Sequence, residues 1–429
     1  MIHAPTHPSL RAYRPGSDGP FGPEQAARLF RRLTFGAPPD RILEVAARGL
    51  PQTLDAIFQP PPSNHPRWKA YHRMLTHGDR AARRGDLEGM QSAWVARSLT
   101  TPFPIAERVS LFWHDHFATA ASKVTDLPAM QRQNRLFLTA GLGAFPDLLG
   151  AVARDPAMLI WLDGVTSSKA HPNENFAREL FELFSLGIGH YTEDDVKECA
   201  RAFTGWRLKR GRFHFDPTQH DEGEKTVLGE SGRLEGEDVL RILARHPQCA
   251  RFIAGKLWTT FVGPIEDPRL EQELGSLFDA NKRNVGSFLR RIVSSRGFFL
   301  ANPRVSGPME FTLGALRGVG ARAAGSRVVH HLKRLGQEPF NPPSVAGWPS
   351  GLEWITSATA VARENFAGEL AQGGEGPLSL KRAEKPLALG ALTLAVTGRP
   401  ATEDKHLADN DQIFQAAGRL VGSPEQWTL

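Results

Sequence analysis

Cysteine is nearly missing: the chain has 2 in 429 residues. Cys199 and Cys249 form no Cys-x-x-Cys redox pair, and a Cys-rich zinc ribbon is excluded. Both sit in helical patterns and read as core thiols. Several catalytic signatures are missing too. There is no Gly-x-Ser-x-Gly nucleophile elbow and no phosphate-cradling loop ending in Gly-Lys-Ser/Thr. There is no Cys-x-x-Cys-His, so covalent c-type haem attachment is unsupported. No uncharged apolar run approaches the ~18 residues that a membrane-spanning helix needs. The opening MIHAPTHPSLRAYRPGSDGPF holds no signal-peptide core. On that reading the expected location is cytoplasmic.

Charge of one sign is also scarce. The 52 Lys and Arg against 46 acidic residues leave +6, thinly spread. The short basic cluster Arg207, Lys209, Arg210 and Arg212 is interrupted and lacks an aromatic platform for bases. No nucleic-acid partner is expected. A small-molecule or polymer substrate and a protein partner both stay open.

What is present is a globular composition, 41% hydrophobic and 23% charged, with 41 Gly and 32 Pro. Apolar residues recur with helical period along most of the chain. They predict helices from Pro23 to Gly36, from an Asp40 cap through Ala47, one that includes Leu54 to Phe58, and one over 87–99. Further helices are predicted after Pro104, over 127–140 and 144–153, at 173–186, and from a Thr192 cap to Thr204. The segment HGDRAARRG at 77–85 reads as polar and exposed. WRLKRGRFHF, split by Arg210-Gly211, reads as a β-hairpin excursion near 206–230. Helices resume from 235 to 300, over 306–336 and over 356–369. The stretch 341–354, rich in Pro, Gly and Trp, cannot be one helix. The chain ends as helix with a polar break near 400–410. The expected fold is all-α, a large multi-helical orthogonal or bundle-like architecture. Residues 1–20 form a flexible arm, and 21–429 form a single large helical domain or two closely packed helical layers.

Four segments carry candidate chemistry. LFWHDHF holds His114, Asp115 and His116. On a regular helix the two imidazoles diverge by about 200°, so a shared site would need unwinding near His116. Ligand or base roles stand beside core histidines that only hydrogen-bond. HPNENFARELFELFSLG places Glu174, Arg178 and Glu182 four residues apart, a spacing that pairs charges on one helix face. Asn173, Asn175 and Glu179 add a neighbouring polar stripe. A metal or proton-transfer site and plain ion pairing both fit. FHFDPTQHDEGEKTVLG concentrates His214, Asp216, His220, Asp221 and Lys225 in irregular backbone. NPPSVAGWPSGLEW offers Trp348, Trp354, Asn341 and Ser344 as pocket walls or as a plug between helical layers.

Taken in order, RRLTFGAPP at 31–39, FWHDHFA at 112–118 and NENFARELFELFSLGIGHYTEDDVKECARAFTGW at 173–206 resemble the bacterial family DUF1800. HDEGEKTVLG at 220–229, ARFIAGKLWTTFV at 250–262 and PPSVAGWPSGLEWI at 342–355 extend the resemblance to nearly the whole chain. It implies a large helical protein and, for many relatives, export. It assigns no activity. The family pattern is most similar at His114, His116, Asn173, Glu174, Arg178, Glu179, His220 and Asp221.

The leading functional expectation is a metal-assisted hydrolase. His114, His116, Glu182 and His220 would be ligands to a divalent zinc, manganese or iron ion. Glu174, Glu179, Arg178 and Asp221 would be catalytic groups, and Trp113, Asn173 and Trp348 would line the pocket. The alternatives are an enzyme using side chains alone for acid–base work, a non-catalytic assembly or partner-binding helical protein, and a non-haem metal oxidoreductase.

Overall fold

The computed structural model describes residues 6–376, 378, 380–381, 387–399, 406–407, 409–423 and 427. It is mostly helical, 61% helix, with 21 α-helices among the described residues. Much of the proline content starts these helices. Pro23, Pro39, Pro104, Pro156, Pro247, Pro268 and Pro308 each occupy the first helical position. There a missing N–H costs nothing and the fixed φ already suits a helix. Asp86, Asp126, Asn173, Thr192 and Asn284 cap others through side-chain oxygens.

Several boundaries differ from the sequence reading. Pro38, not Asp40, stands at the cap of helix Pro39–Ala46, and Asp40 lies in its first turn. The third helix, expected to include Leu54 to Phe58, spans Leu50–Phe58. Most of the 77–85 segment is helix, the end of Arg67–Arg83. Gly78, Ala81 and Ala82 form a stripe of small buried residues, and the two alanines pack with Met90 and Trp94 of helix Leu87–Thr100. Surrounding charges mask this stripe in a hydrophobicity reading. Helix Glu174–Glu182 stops well short of 186, and helix Glu193–Ala202 ends before Thr204.

The β-hairpin lies where expected. Trp206–Lys209 pairs antiparallel with Arg212–Phe215. Arg210 and Gly211 take φ of 52° and 70°, the left-handed pair that a two-residue hairpin turn favours. Lys225–Val227 pairs with Glu230–Gly232, and a third ladder joins Leu387–Ala388 to His406–Leu407.

Residues 6–20 are docked on the body. Leu10 and Tyr13 are buried, and the Tyr13 N–H donates to the Ser294 carbonyl at 2.9 Å. Residues 1–5 of the expected arm, and most of the 400–410 break, lie outside the described residues. Two hydrophobic clusters fill the interior. Helix Pro104–His116 runs between them, giving Val109, Phe112 and Trp113 to one and Leu111 to the other. No described helix is long and apolar enough to cross a membrane.

Candidate functional site

All of helix Pro104–His116 is buried except Pro104 and Asp115. Its polar residues must therefore find partners inside the protein or leave costly unpaired groups. Glu107 takes a bidentate bond from Arg97, at 2.6 and 3.0 Å, and Arg97 also donates to Asn134 Oδ1 at 2.8 Å. Arg108 donates to Glu310 Oε1 at 2.6 Å. Arg304 grips the same carboxylate at 2.6 and 3.0 Å, and the Gly307 N–H adds a bond at 3.0 Å. Burial alone would raise the Glu310 carboxyl. The two guanidiniums outweigh it and hold that carboxyl well below the usual range.

His114 and His116 point to different places, as helical geometry requires. The His114 ring sits among Trp94, Phe340 and Trp348, at centroid distances of 5.3, 5.7 and 5.4 Å. Burial pushes its pKa down to about 3. His116 faces the turn after helix Glu174–Glu182. Because that helix stops early, the Phe184 carbonyl is exposed to the ring, and His116 Nε2 donates to it at 3.2 Å. A carbonyl can only accept, so the proton sits on Nε2 and Nδ1 is left as an acceptor. Lys256 Nζ lies 3.4 Å from that nitrogen. Burial first, and the Lys256 charge second, hold His116 far below its ordinary pKa.

Lys256 comes from helix Pro247–Phe261, where it falls on the inward side among Phe252, Ile253 and Leu257. Its ammonium lies 5.0 Å from the centroid of the Phe252 ring. Burial lowers its pKa, and the Asp115 carboxylate opposes that. Asp115 is the one inner residue of its helix that keeps some exposure. Its Oδ1 accepts the Trp348 backbone N–H at 2.7 Å. Burial pushes the carboxyl up to about 6, against that N–H, Lys256 and Arg108. The close approach depends on Gly347, whose φ is +91°. A methyl group there would run into both the carboxylate and the carbonyl oxygen of Asp115. The Pro/Gly/Trp loop thus closes over Asp115.

The other expected residues lie apart from this centre. Arg178 pairs with neither Glu174 nor Glu182. It makes a bidentate bond with Glu193, at 2.7 Å on both arms, because the chain folds back after Gly187. Glu182 accepts from Tyr191 Oη at 2.8 Å, and Glu174 is exposed in the first turn. The Glu179 carboxyl is raised by burial and then by the Glu182 charge. Asn173 caps its helix and donates through Nδ2 to the Leu162 carbonyl at 2.7 Å. It also lines a small cavity with Ser167, Phe176 and Trp206. His220 Nδ1 lies 2.9 Å from the Thr204 carbonyl, and Asp221 is clamped by Arg201 at 2.8 and 3.2 Å. That clamp holds the Asp221 pKa down to about 2. Lys225 donates to the Asp221 and Gly223 carbonyls at 2.5 and 3.0 Å. Trp113 is core, stacked on Phe117 and Phe145 and donating to the Gly141 carbonyl at 2.8 Å.

The expected metal ligands therefore occupy separate settings. Among the described residues, no three or more His, Cys, Asp or Glu side chains come together in a way that could hold an ion. Lys256 and Glu310 went unread in the sequence. Lys256 does leave a signal: a lone cation at an inward position of a helix that is otherwise apolar on that face.

The fold and this centre define a large helical protein with a buried, charge-bearing core helix. Residues 28–425 match DUF1800, described as a protein of unknown function, and the chain belongs to that family. Comparison with curated proteins and with solved structures gives no match.

Proposed function

We propose that this chain is a hydrolase that works by acid–base chemistry at Asp115 and Lys256, with His116 and the Trp348 loop as positioning groups. The observation that carries the reading is the pairing at Lys256. A neutral His116 accepts from its ammonium at 3.4 Å, and a half-buried Asp115 close by titrates near pH 6. Groups whose surroundings displace their pKa values toward the working pH are what proton transfer needs. Asp115, ionised above pH 6, would take a proton from the water whose oxygen bonds to the substrate's electrophilic centre, and would return that proton to the leaving group as its bond to that centre breaks. The Lys256 ammonium has three N–H donors, of which His116 takes one, so others would be available to the substrate oxygen on which negative charge grows. The metal-assisted hydrolase expected from the sequence draws no support from this geometry, because its donors do not converge.

The test is a panel of chromogenic esters, amides, glycosides and phosphate esters, with wild type beside Asp115→Asn and Lys256→Met. Hydrolysis should rise through an apparent pKa of about 6 and fall at least ~100-fold in either variant, within the range general acid–base groups contribute. Hydrolysis that survives both substitutions in folded protein contradicts the proposal.

For the block 173–229 a partner-binding or structural reading is favoured by a specific observation. Its charges answer one another, Arg178 with Glu193 and Arg201 with Glu198 and Asp221, beside the exposed Ile188.

A further inference from the structure

A second set of polar atoms, gathered about His114 on the same helix, takes no part in the proposed proton transfer and has no partner of its own. His114 is 1% exposed, and neither of its ring nitrogens has a hydrogen-bond partner. Trp94 and Trp348, whose rings lie against His114, have unpartnered Nε1 atoms as well. Ser110 Oγ, Asn134 Nδ2 and Gln91 Oε1, on the helices that carry these rings or pack beside them, are also unpartnered. Their residues are buried.

The periodicity of the helices brings these residues to one seam. Ser110 and His114 are a turn apart on helix Pro104–His116. Gln91 and Trp94 are a turn apart on helix Leu87–Thr100. Asn134 shares a face of helix Leu127–Ala140 with Phe137, whose ring lies 6.3 Å from that of His114. Trp348 and Phe340 close the seam from the loop.

Ring faces cannot answer all of these atoms. Trp94 and His114 meet edge-to-face, with 80° between their planes, so an N–H aimed at a π face is weakly satisfied. A lone pair gains nothing from a π face. With His114 neutral in its buried setting, one of its ring nitrogens is an acceptor. Gln91 Oε1 is fixed as an acceptor as well, because its amide nitrogen already donates to Glu338 Oε1 and the Pro339 carbonyl, both at 2.9 Å. The seam thus presents unanswered donors (two indole N–H groups and the Asn134 amide) together with unanswered acceptors. It carries no unanswered charge, since Arg97 is matched by Glu107.

We propose that this seam is a binding site, centred on His114, for a neutral molecule of a few heavy atoms that both donates and accepts hydrogen bonds. Water and a small alcohol or amide share that chemistry. Buried polar groups that lack a protein partner are ordinarily satisfied by ordered water, and an alcohol or amide offers the same donor and acceptor. The site shares the Trp348 loop with the Asp115–Lys256 centre but none of its proton-transfer groups, and its test does not depend on whether that centre catalyses.

The test is a high-resolution crystal structure of the full chain, with solvent extraction and mass spectrometry of the same preparation. The expected result is ordered density about 3 Å from a His114 ring nitrogen and from Trp94 or Trp348 Nε1. An extracted organic molecule would identify the guest as that compound, and none would identify it as water. His114→Phe, similar in shape, should lower Tm because the guest loses its central partner. An empty seam, or a His114→Phe variant as stable as wild type or more so, overturns the proposal.

Discussion

Inside helix Pro104–His116 each polar residue survives burial by a different route, and the routes have different consequences. Glu107 and Arg97 are 0% and 2% exposed and neutralise one another. Removing one partner leaves the other charged and buried, which costs far more than the pair contributes. Glu107→Ala should therefore destabilise the protein by about 3–5 kcal/mol, read as a lowered midpoint in denaturant unfolding. A loss under 1 kcal/mol would mean that Arg97 finds another acceptor besides Asn134. His114, Asp115 and His116 stand out in the sequence as a group, and although helix geometry sets the two imidazoles about 200° apart, both were expected as ligands of one ion. Which partner each would find was not legible there. The Phe184 carbonyl is free only because its helix ends early, and Lys256 arrives from a segment 140 residues away.

At the scale of elements, caps and turns place the groups. Asn173 bridges two local structures, accepting from the Asn175 N–H at 3.0 Å and donating to the Leu162 carbonyl. Asn173→Ala should cost about 1 kcal/mol or somewhat more, seen in thermal unfolding, and should leave any hydrolysis at Asp115 unchanged. Hydrolysis lost in a stable variant would give Asn173 a direct chemical role. Gly347 does for the Pro/Gly/Trp loop what Asn173 does for its helix. Gly347→Ala adds a side chain at φ +91° and against Asp115. Strain of this kind costs of order 1–3 kcal/mol. The variant should lose Tm and weaken the Trp348 N–H bond to Asp115, with altered tryptophan fluorescence as the check. Helix and hairpin positions were legible because apolar period, Pro at first turns and the Arg210-Gly211 turn are local signals. The stripe Gly78, Ala81 and Ala82 was not, because small residues pack by closeness rather than by hydrophobicity. The Arg178–Glu193 pair was not either. Its spacing is set by a reversal after Gly187, and helical arithmetic favoured Glu174 and Glu182.

Over the whole molecule, two hydrophobic clusters meet at one helix, and that helix carries charges between them. This explains why burial displaces the pKa values of His114, Asp115, His116 and Lys256, which lie on that helix or against it. The overall class and the family were readable from the pattern and from long matching segments. The site was readable only in part, because it is assembled from 107–116, 256, 304–310 and 347–348, which no sequence window contains together.

The most direct test of the Asp115–Lys256 centre is the carboxyl carbon titration of Asp115, followed by NMR in protein labelled at aspartate and assigned with Asp115→Asn. The account predicts a midpoint of about 6, rising further in Lys256→Met because a nearby positive charge is lost. A midpoint near the ordinary value of about 4, unmoved by Lys256→Met, would contradict it.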